Sequence, residues 1–235
     1  MCAGVTLYDP LKRYGAKAGT KVGVVGLGGL GQMGIRVAKA MGCVVTAISR
    51  GETKRGLATD CGADAYVSSA DAGGMAACRG TLDLVLNTIA CDHDYSAYTK
   101  LTAKAGGKHI ILGLNNGLGA AMMLDSLTFG SSRVKMSGIG GIQATQEVVD
   151  LCAKHGIKPA VKIIAAEDIN GVYEELEHGN ASGLRHVLDI ATLNDGAFER
   201  CTRPAPDFSK AEAKGMNIGG ILSTAAGMFF CGEWL

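Results

Sequence analysis

The stretch Lys21-Val22-Gly23-Val24-Val25-Gly26-Leu27-Gly28-Gly29-Leu30-Gly31-Gln32-Met33 decides how the rest of the chain is read. Its first five residues form a short apolar run entering glycines, the pattern of a strand buried on both faces. Over residues 28–41 the apolar side chains Leu30, Met33, Val37, Ala38 and Met41 recur at three- and four-residue steps, which is one face of a helix. Between strand and helix lies Gly26-Leu27-Gly28-Gly29-Leu30-Gly31, which fits G-x-G-x-x-G. In a chain with 35 glycines among 235 residues that spacing arises by chance, so its weight comes from its place between a strand and a helix. There each glycine has a physical task. Gly26 permits the tight turn, Gly28 lets the backbone approach a pyrophosphate, and Gly31 lets helix and strand pack closely. The helix start adds free N–H groups and a positive dipole end, so the loop is a candidate phosphate cradle.

Working outward, the alternation continues. Residues 43–48, 65–67, 82–87, 108–112, 132–136, 161–164 and 184–190 read as strands. Residues 51–60, 95–104, 145–155 and 167–178 read as helices. Strands separated by helices imply βαβ crossovers, hence an α/β fold with a doubly wound, mostly parallel sheet. The alternation stops after Ile190. Residues 193–215 hold Pro204, Pro206 and mixed charges and read as linker or disorder. The expected organisation is one nucleotide-binding domain over residues 1–192 and a tail over 193–235.

Composition narrows the function classes. A net charge of +1 excludes a broad electrostatic footprint for nucleic acid or anionic lipid. Aromatic content of 5% argues against a stacking platform for single strands. None of the eight cysteines forms a C-x-x-C pair, and in a chain of this length they read as buried thiols of a reducing, cytoplasmic protein. The N-terminus has neither the basic start nor the apolar run of a signal peptide. Residues 215–235 carry one charge, Glu233, but five polar or glycine positions (Gly219, Gly220, Ser223, Thr224, Gly227) weaken them as a membrane span.

The end of the second strand bears on which dinucleotide fits. NAD binders place an Asp or Glu roughly 20 residues past the first glycine to hold the ribose 2′-hydroxyl. Here that place holds Ser49-Arg50-Gly51-Glu52-Thr53-Lys54-Arg55. A hydroxyl and cations match a 2′-phosphate better than a bare diol. Glu52 is the residue that keeps NAD open.

Several motifs in order make a resemblance specific: Cys2-Ala3-Gly4-Val5-Thr6, the run from Val22 to Gly31, and Ser137-Gly138-Ile139-Gly140-Gly141 followed by Thr145-Gln146-Glu147. Together, from Cys2 to about Ile190, they resemble the cinnamyl-alcohol-dehydrogenase branch of the zinc-dependent medium-chain alcohol dehydrogenases. The resemblance implies a Rossmann domain paired with a GroES-like catalytic domain, NADP(H) as cofactor, and interconversion of small-molecule alcohols and aldehydes. It also implies a homodimer joined through the Rossmann sheets. It assigns Cys2 as one ligand of the catalytic zinc and Thr6 as a cofactor contact. The loop residues Gly26, Leu27, Gly28, Gly29, Leu30 and Gly31 hold the cofactor. Ser49, Arg50 and Lys54 fall at the 2′-phosphate, and Thr88, Gly113, Ser137, Gly138 and Ile139 flank the nicotinamide half.

The pattern also departs from that family. Its other zinc ligands, a Cys and a His–Glu pair, and its four-cysteine structural zinc lobe are not matched in this sequence. A catalytic zinc takes three protein ligands and an open position, so Cys2 alone is not expected to hold one. His93, His109, His155, His178 and His186 are scattered and read as surface or core histidines. Two functions follow: an NADP-dependent alcohol dehydrogenase present as its cofactor-binding part, or a non-catalytic NADP(H)-binding module from a truncated gene product.

Overall fold

A computed structural model of the chain describes residues 2–113, 133–177 and 183–193. In chain order these form α1 (Cys2–Arg13), β1 (Lys21–Val25), α2 (Gly29–Ala40), β2 (Val44–Ser49), α3 (Arg55–Asp60), β3 (Ala65–Ser68), α4 (Ala72–Ala77), β4 (Leu84–Asn87), α5 (Tyr95–Thr99), β5 (Lys108–Ile111), β6 (Val134–Met136), α6 (Ile142–His155), β7 (Val161–Ile164), α7 (Ile169–Glu177) and β8 (Arg185–Leu188). Six strands make one sheet in the order β3-β2-β1-β4-β5-β6. Every pairing in it is parallel. The chain winds outward from β1 to β3, returns to the middle at β4, and winds outward again to β6. That reversal opens a crevice beyond the carboxyl ends of β1 and β4, where this class of sheet binds ligands.

The period of two decides which face each strand residue serves. Val22 and Val24 of β1, Val45 and Ala47 of β2, Leu84 and Leu86 of β4 and Ile110 of β5 join one core. Leu7, Leu11, Met33, Ile35, Val37 and Val148 pack into that core from α1, α2 and α6. The alternate residues Val25, Ile48 and Val85 face the other way, with Tyr98 and Leu101. Burial on both sides explains why the strands read as near-continuous apolar runs. Gly23, on the second face, has room for no side chain: a β-carbon there would lie 2.7 Å from Leu82 Cδ1.

Three features differ from the sequence expectation. First, α1 precedes β1. Gly4, Val5, Thr6 and an internal Pro10 are weak helix formers, and Pro10 leaves the Thr6 carbonyl without its helical donor. Packing supplies what propensity lacks: Leu7 and Leu11 are fully buried. Lys12 and the Tyr8 hydroxyl both bond the Glu147 carboxylate of α6, at 2.5–2.7 Å and 3.0 Å. Second, β7 and β8 do not extend the main sheet; they pair with each other in a separate two-stranded sheet. Third, the short helix α4 falls where no element was expected, its start capped by the Asp71 side chain on the Gly73 N–H. Element ends move as well: α3 begins at Arg55 after a turn, α5 stops at Thr99, and α6 begins at Ile142. The tail expected over residues 193–235 lies outside the described residues except for Leu193.

Helices α1 and α2 meet at a glycine. A β-carbon on Gly34 would come within 3.0 Å of Leu7 Cδ1 and 3.1 Å of its Cγ. Gly34→Val is therefore expected to lower stability by about 1–3 kcal/mol through overpacking. Urea unfolding monitored by circular dichroism checks this, and an unchanged midpoint would show that α1 is not docked there.

Candidate functional site: a dinucleotide crevice

The glycine loop lies at the mouth of the crevice. Gly26 has φ +90°, a conformation that favours glycine. A β-carbon there would also meet Thr88 Oγ1 at 2.7 Å. Its amide donates to the Ile48 carbonyl at 2.9 Å, so the turn leaves β1 still attached to β2. At Gly28, the N-cap of α2, nothing lies within 4 Å of the β-carbon position. A β-carbon on Gly31 would overlap the Gly26 carbonyl. The helix thus starts directly over the turn, with open space at the middle glycine, and its first-turn amides face that space. Leu27 turns its side chain into the core and Leu30 packs partly against it. At Leu27 and at Gly29 only the backbone is available to a ligand.

The end of β2 carries the charged half of the site. Ser49 is half-buried and Arg50 exposed. Lys54 Nζ donates to the Leu27 carbonyl at 3.2 Å and so ties this turn to the glycine loop. Burial and, to a lesser degree, the Arg50 charge hold the Lys54 ammonium below the usual lysine range. Glu52 is engaged elsewhere: Arg55 Nε donates to its carboxylate at 2.6 Å.

Across the crevice, the Thr88 hydroxyl lies 2.8 Å from the Val25 carbonyl and 3.2 Å from the Gly26 carbonyl, which locks the β4 end to the glycine turn. Buried Gly113 presses on the loop after β4, since a β-carbon there would strike the Ile89 carbonyl. Ser137 follows β6 with its N–H on the Ile111 carbonyl at 3.1 Å, and its buried hydroxyl has no partner among the described residues. Gly138 and Ile139 are exposed.

The sequence reading missed the polar floor below Thr88. Asn87 is fully buried. The Ile89 N–H donates to its Oδ1 at 3.1 Å, which fixes the amide orientation and turns Nδ2 toward His93 Nε2 (2.9 Å) and His109 Nε2 (3.1 Å). The Thr99 hydroxyl donates to the Tyr95 carbonyl, so it accepts from His109 Nδ1 at 2.9 Å. His109 is therefore neutral with its proton on Nδ1. The reading also missed Arg185. Its Nε lies 2.8 Å from the β-carbon position of Gly29, against the first turn of α2, and Gln32 Nε2 bonds the nearby Gly183 carbonyl at 2.6 Å. No local signal joins positions so far apart in the chain; only a lone cation opening an apolar strand marks Arg185.

Cys2 and Thr6 lie one turn apart on α1, Sγ 3.9 Å from Oγ1. Thr6 is buried. Among the described residues no three His, Cys, Asp or Glu side chains cluster to hold a metal. The donor set described here thus does not fit a catalytic zinc, which takes three protein ligands.

Fold and crevice together define a dinucleotide-binding domain of the Rossmann type. The profile of the zinc-binding dehydrogenases matches residues 29–154, more than half of the chain, and the chain belongs to that family. It is 41% identical over 195 residues to the aldehyde reductase YahK of Escherichia coli, covering 83% of this chain and 55% of that protein. It is 36% identical over 195 residues to the NADP-dependent alcohol dehydrogenase C of Mycobacterium bovis, covering 82% and 55%. Among solved structures, a cinnamyl alcohol dehydrogenase of Sorghum bicolor superposes with a TM-score of 0.72 at 33% identity, over 82% of this chain and 54% of that one. The cinnamyl alcohol dehydrogenase of Helicobacter pylori complexed with NADP(H) gives 0.70 at 35% identity, over 82% and 54%. The chain spans about half the length of these relatives. Among the described residues no helix is long and apolar enough to cross a membrane.

Burial, and secondarily the neighbouring His93, push His109 down from 6.5 to about 3. A histidine with a depressed folded value contributes stability above its unfolded value and loses it as pH falls. Stability should therefore fall from near pH 6.5 downward, by up to about 1.4 kcal/mol per pH unit from this group. In His109→Gln that component should vanish. Urea midpoints of both proteins at about pH 7 and about pH 5 test this; equal pH losses in the two would overturn it.

Proposed function

We propose that this chain binds NADP(H) and forms the cofactor-binding part of an alcohol dehydrogenase that interconverts small-molecule alcohols and aldehydes. The observation that carries the cofactor choice is the charge arrangement after β2. Lys54 lies within electrostatic reach of Arg50, while Glu52 is bound to Arg55. Two cations drawn together by the fold are stabilised by a doubly charged anion such as the 2′-phosphate. The NADP(H) in the Helicobacter pylori relative supports the same choice.

In this reading Gly26, Gly28 and Gly31 shape the pyrophosphate cradle and the amides from Leu27 to Leu30 line it. Ser49, Arg50 and Lys54 hold the 2′-phosphate. Arg185 stands where it can add a positive charge beside the pyrophosphate. Thr88, Gly113 and residues 137–139 flank the nicotinamide half, with Thr6 close behind on α1. When bound, the cofactor supplies or accepts the hydride; the chain orients it and excludes water on the buried side of the crevice. Cys2 is proposed as one zinc ligand in a complete site whose other donors come from outside the described residues. The incomplete donor set equally favours a second reading, a non-catalytic NADP(H)-binding module. Strand β6 lies at the end of the sheet, beside exposed Met136, Ile139 and Ile142. We place a homodimer contact there. Cys43, Cys61, Cys78 and Cys152 are free thiols, which supports a reducing, cytoplasmic setting.

NADPH is expected to bind more tightly than NADH, because a charge-assisted bond to the 2′-phosphate contributes about 1.5–3 kcal/mol, tenfold or more in Kd. Arg50→Ala should weaken NADPH and leave NADH nearly unchanged. Fluorescence titration with both cofactors is the measurement, and equal affinities would overturn the assignment.

The 235-residue chain should reduce cinnamaldehyde with NADPH at well under a tenth of a typical enzyme's ~10 s⁻¹. A faster rate, abolished by chelator and by Cys2→Ser, would show a working zinc site and exclude the non-catalytic reading.

A further inference from the structure

The turn between Ser49 and Lys54 belongs to no helix or strand, and Gly51 within it has φ +64°. A phosphate site built on such a segment needs something rigid to hold it. Tyr66, on β3, meets this turn, and its backbone pairs with Ala47 in the sheet. The Tyr66 hydroxyl donates to the Gly51 carbonyl at 2.6 Å. The phenol is raised above its ordinary value, chiefly by burial. The hydroxyl thus pins the turn at Gly51, next to Arg50, a candidate phosphate ligand.

The ring face holds a second residue. The Arg55 guanidinium carbon lies 4.8 Å from the ring centroid, a cation–π distance. From there Arg55 Nε reaches Glu52 at 2.6 Å. Glu52 is the one carboxylate of the turn, and the one that would favour a ribose diol and repel a 2′-phosphate. The stack aims Arg55 at Glu52 and so neutralises it.

We propose that Tyr66 is a positioning residue for the choice of NADP(H) over NAD(H): its hydroxyl sets the Ser49–Gly51 turn, and its ring holds Arg55 against Glu52. This rests on the NADP(H) reading above. Tyr66 itself needs no contact with cofactor. The device separates the three cations that follow β2 into two that meet the phosphate, Arg50 and Lys54, and one, Arg55, that cancels the competing carboxylate.

The test is the ratio of NADH to NADPH dissociation constants, by fluorescence titration, in the unsubstituted protein and in Tyr66→Phe, Arg55→Met and Arg55→Met/Glu52→Gln. Tyr66→Phe should lower the ratio by about fivefold, the worth of one hydrogen bond, with NADH binding unchanged. Arg55→Met should lower it too by freeing Glu52, and adding Glu52→Gln should restore it. A merely structural role would weaken both cofactors alike, and that result, or an unchanged ratio, overturns the proposal. Should Tyr66→Phe fail to fold, the Arg55 pair decides: no loss in the single variant, or no recovery in the double, overturns it. Equal affinities in the unsubstituted protein overturn the NADP(H) reading and this inference with it, whereas a preference that survives Tyr66→Phe and Arg55→Met overturns only the inference.

Discussion

At Gly31 the first turn of α2 rests on the carbonyl of Gly26 with no room for a β-carbon. This contact sets the distance between helix and sheet, and most of the site depends on it. With α2 seated this low, the turn at Gly26 must run through positive φ and Thr88 can brace it from β4. Gly28 is then left facing open space. A bulkier residue at position 31 would lift the helix start, and the amides of its first turn would move with it. The same low seat lets Gly34 meet Leu7 one turn further on, so the docking of α1 depends on the same close approach.

That geometry explains why cradle and charge cluster work as one unit. Lys54 bonds the Leu27 carbonyl inside the glycine loop, so the turn after β2 is anchored to the turn after β1 even though the two strands are joined only by their ladder. On the other side, Asn87 carries the β4 end on a neutral polar network rather than on a charge. A protonated His109 would place a second donor against the Asn87 amide and add an unpaired charge where water cannot reach. In the proposed NADP(H) reading, a neutral floor leaves the sorting of ligands to the cations after β2.

The parallel sheet and the glycine loop were legible because local pattern and tertiary role coincide there. Strands buried on two faces must be apolar along their whole length, and a helix that starts over a strand end must have small residues at the crossing. Helix α1 was not legible: Gly4, Thr6 and Pro10 argue locally against it, and it is held by Leu7, Leu11 and the Glu147 ion pair, all of them long-range. The strand pattern of β7 and β8 was readable, but period alone does not say which sheet a strand joins. In the site, residues at the ends of β1 and β2 follow from spacing. Asn87, His109 and Arg185 do not, because their meaning lies in partners across the crevice. The role of Glu52 turned on a neighbour three residues away, Arg55, whose direction is set by a ring on another strand.

A net charge of +1 bears on how such a site selects its ligand. With positive and negative residues nearly balanced, the chain has little long-range field to draw in an anionic dinucleotide, and beyond roughly 8 Å physiological salt screens what there is. Discrimination must then come from contact. A half-buried lysine is screened less than an exposed one, and Lys54 is the half-buried member of the pair. Its desolvation disfavours the ammonium, and a phosphate beside it would reverse that penalty. In the proposed NADP(H) reading, this makes the preference depend on the 2′-phosphate itself and not on the total charge of the cofactor.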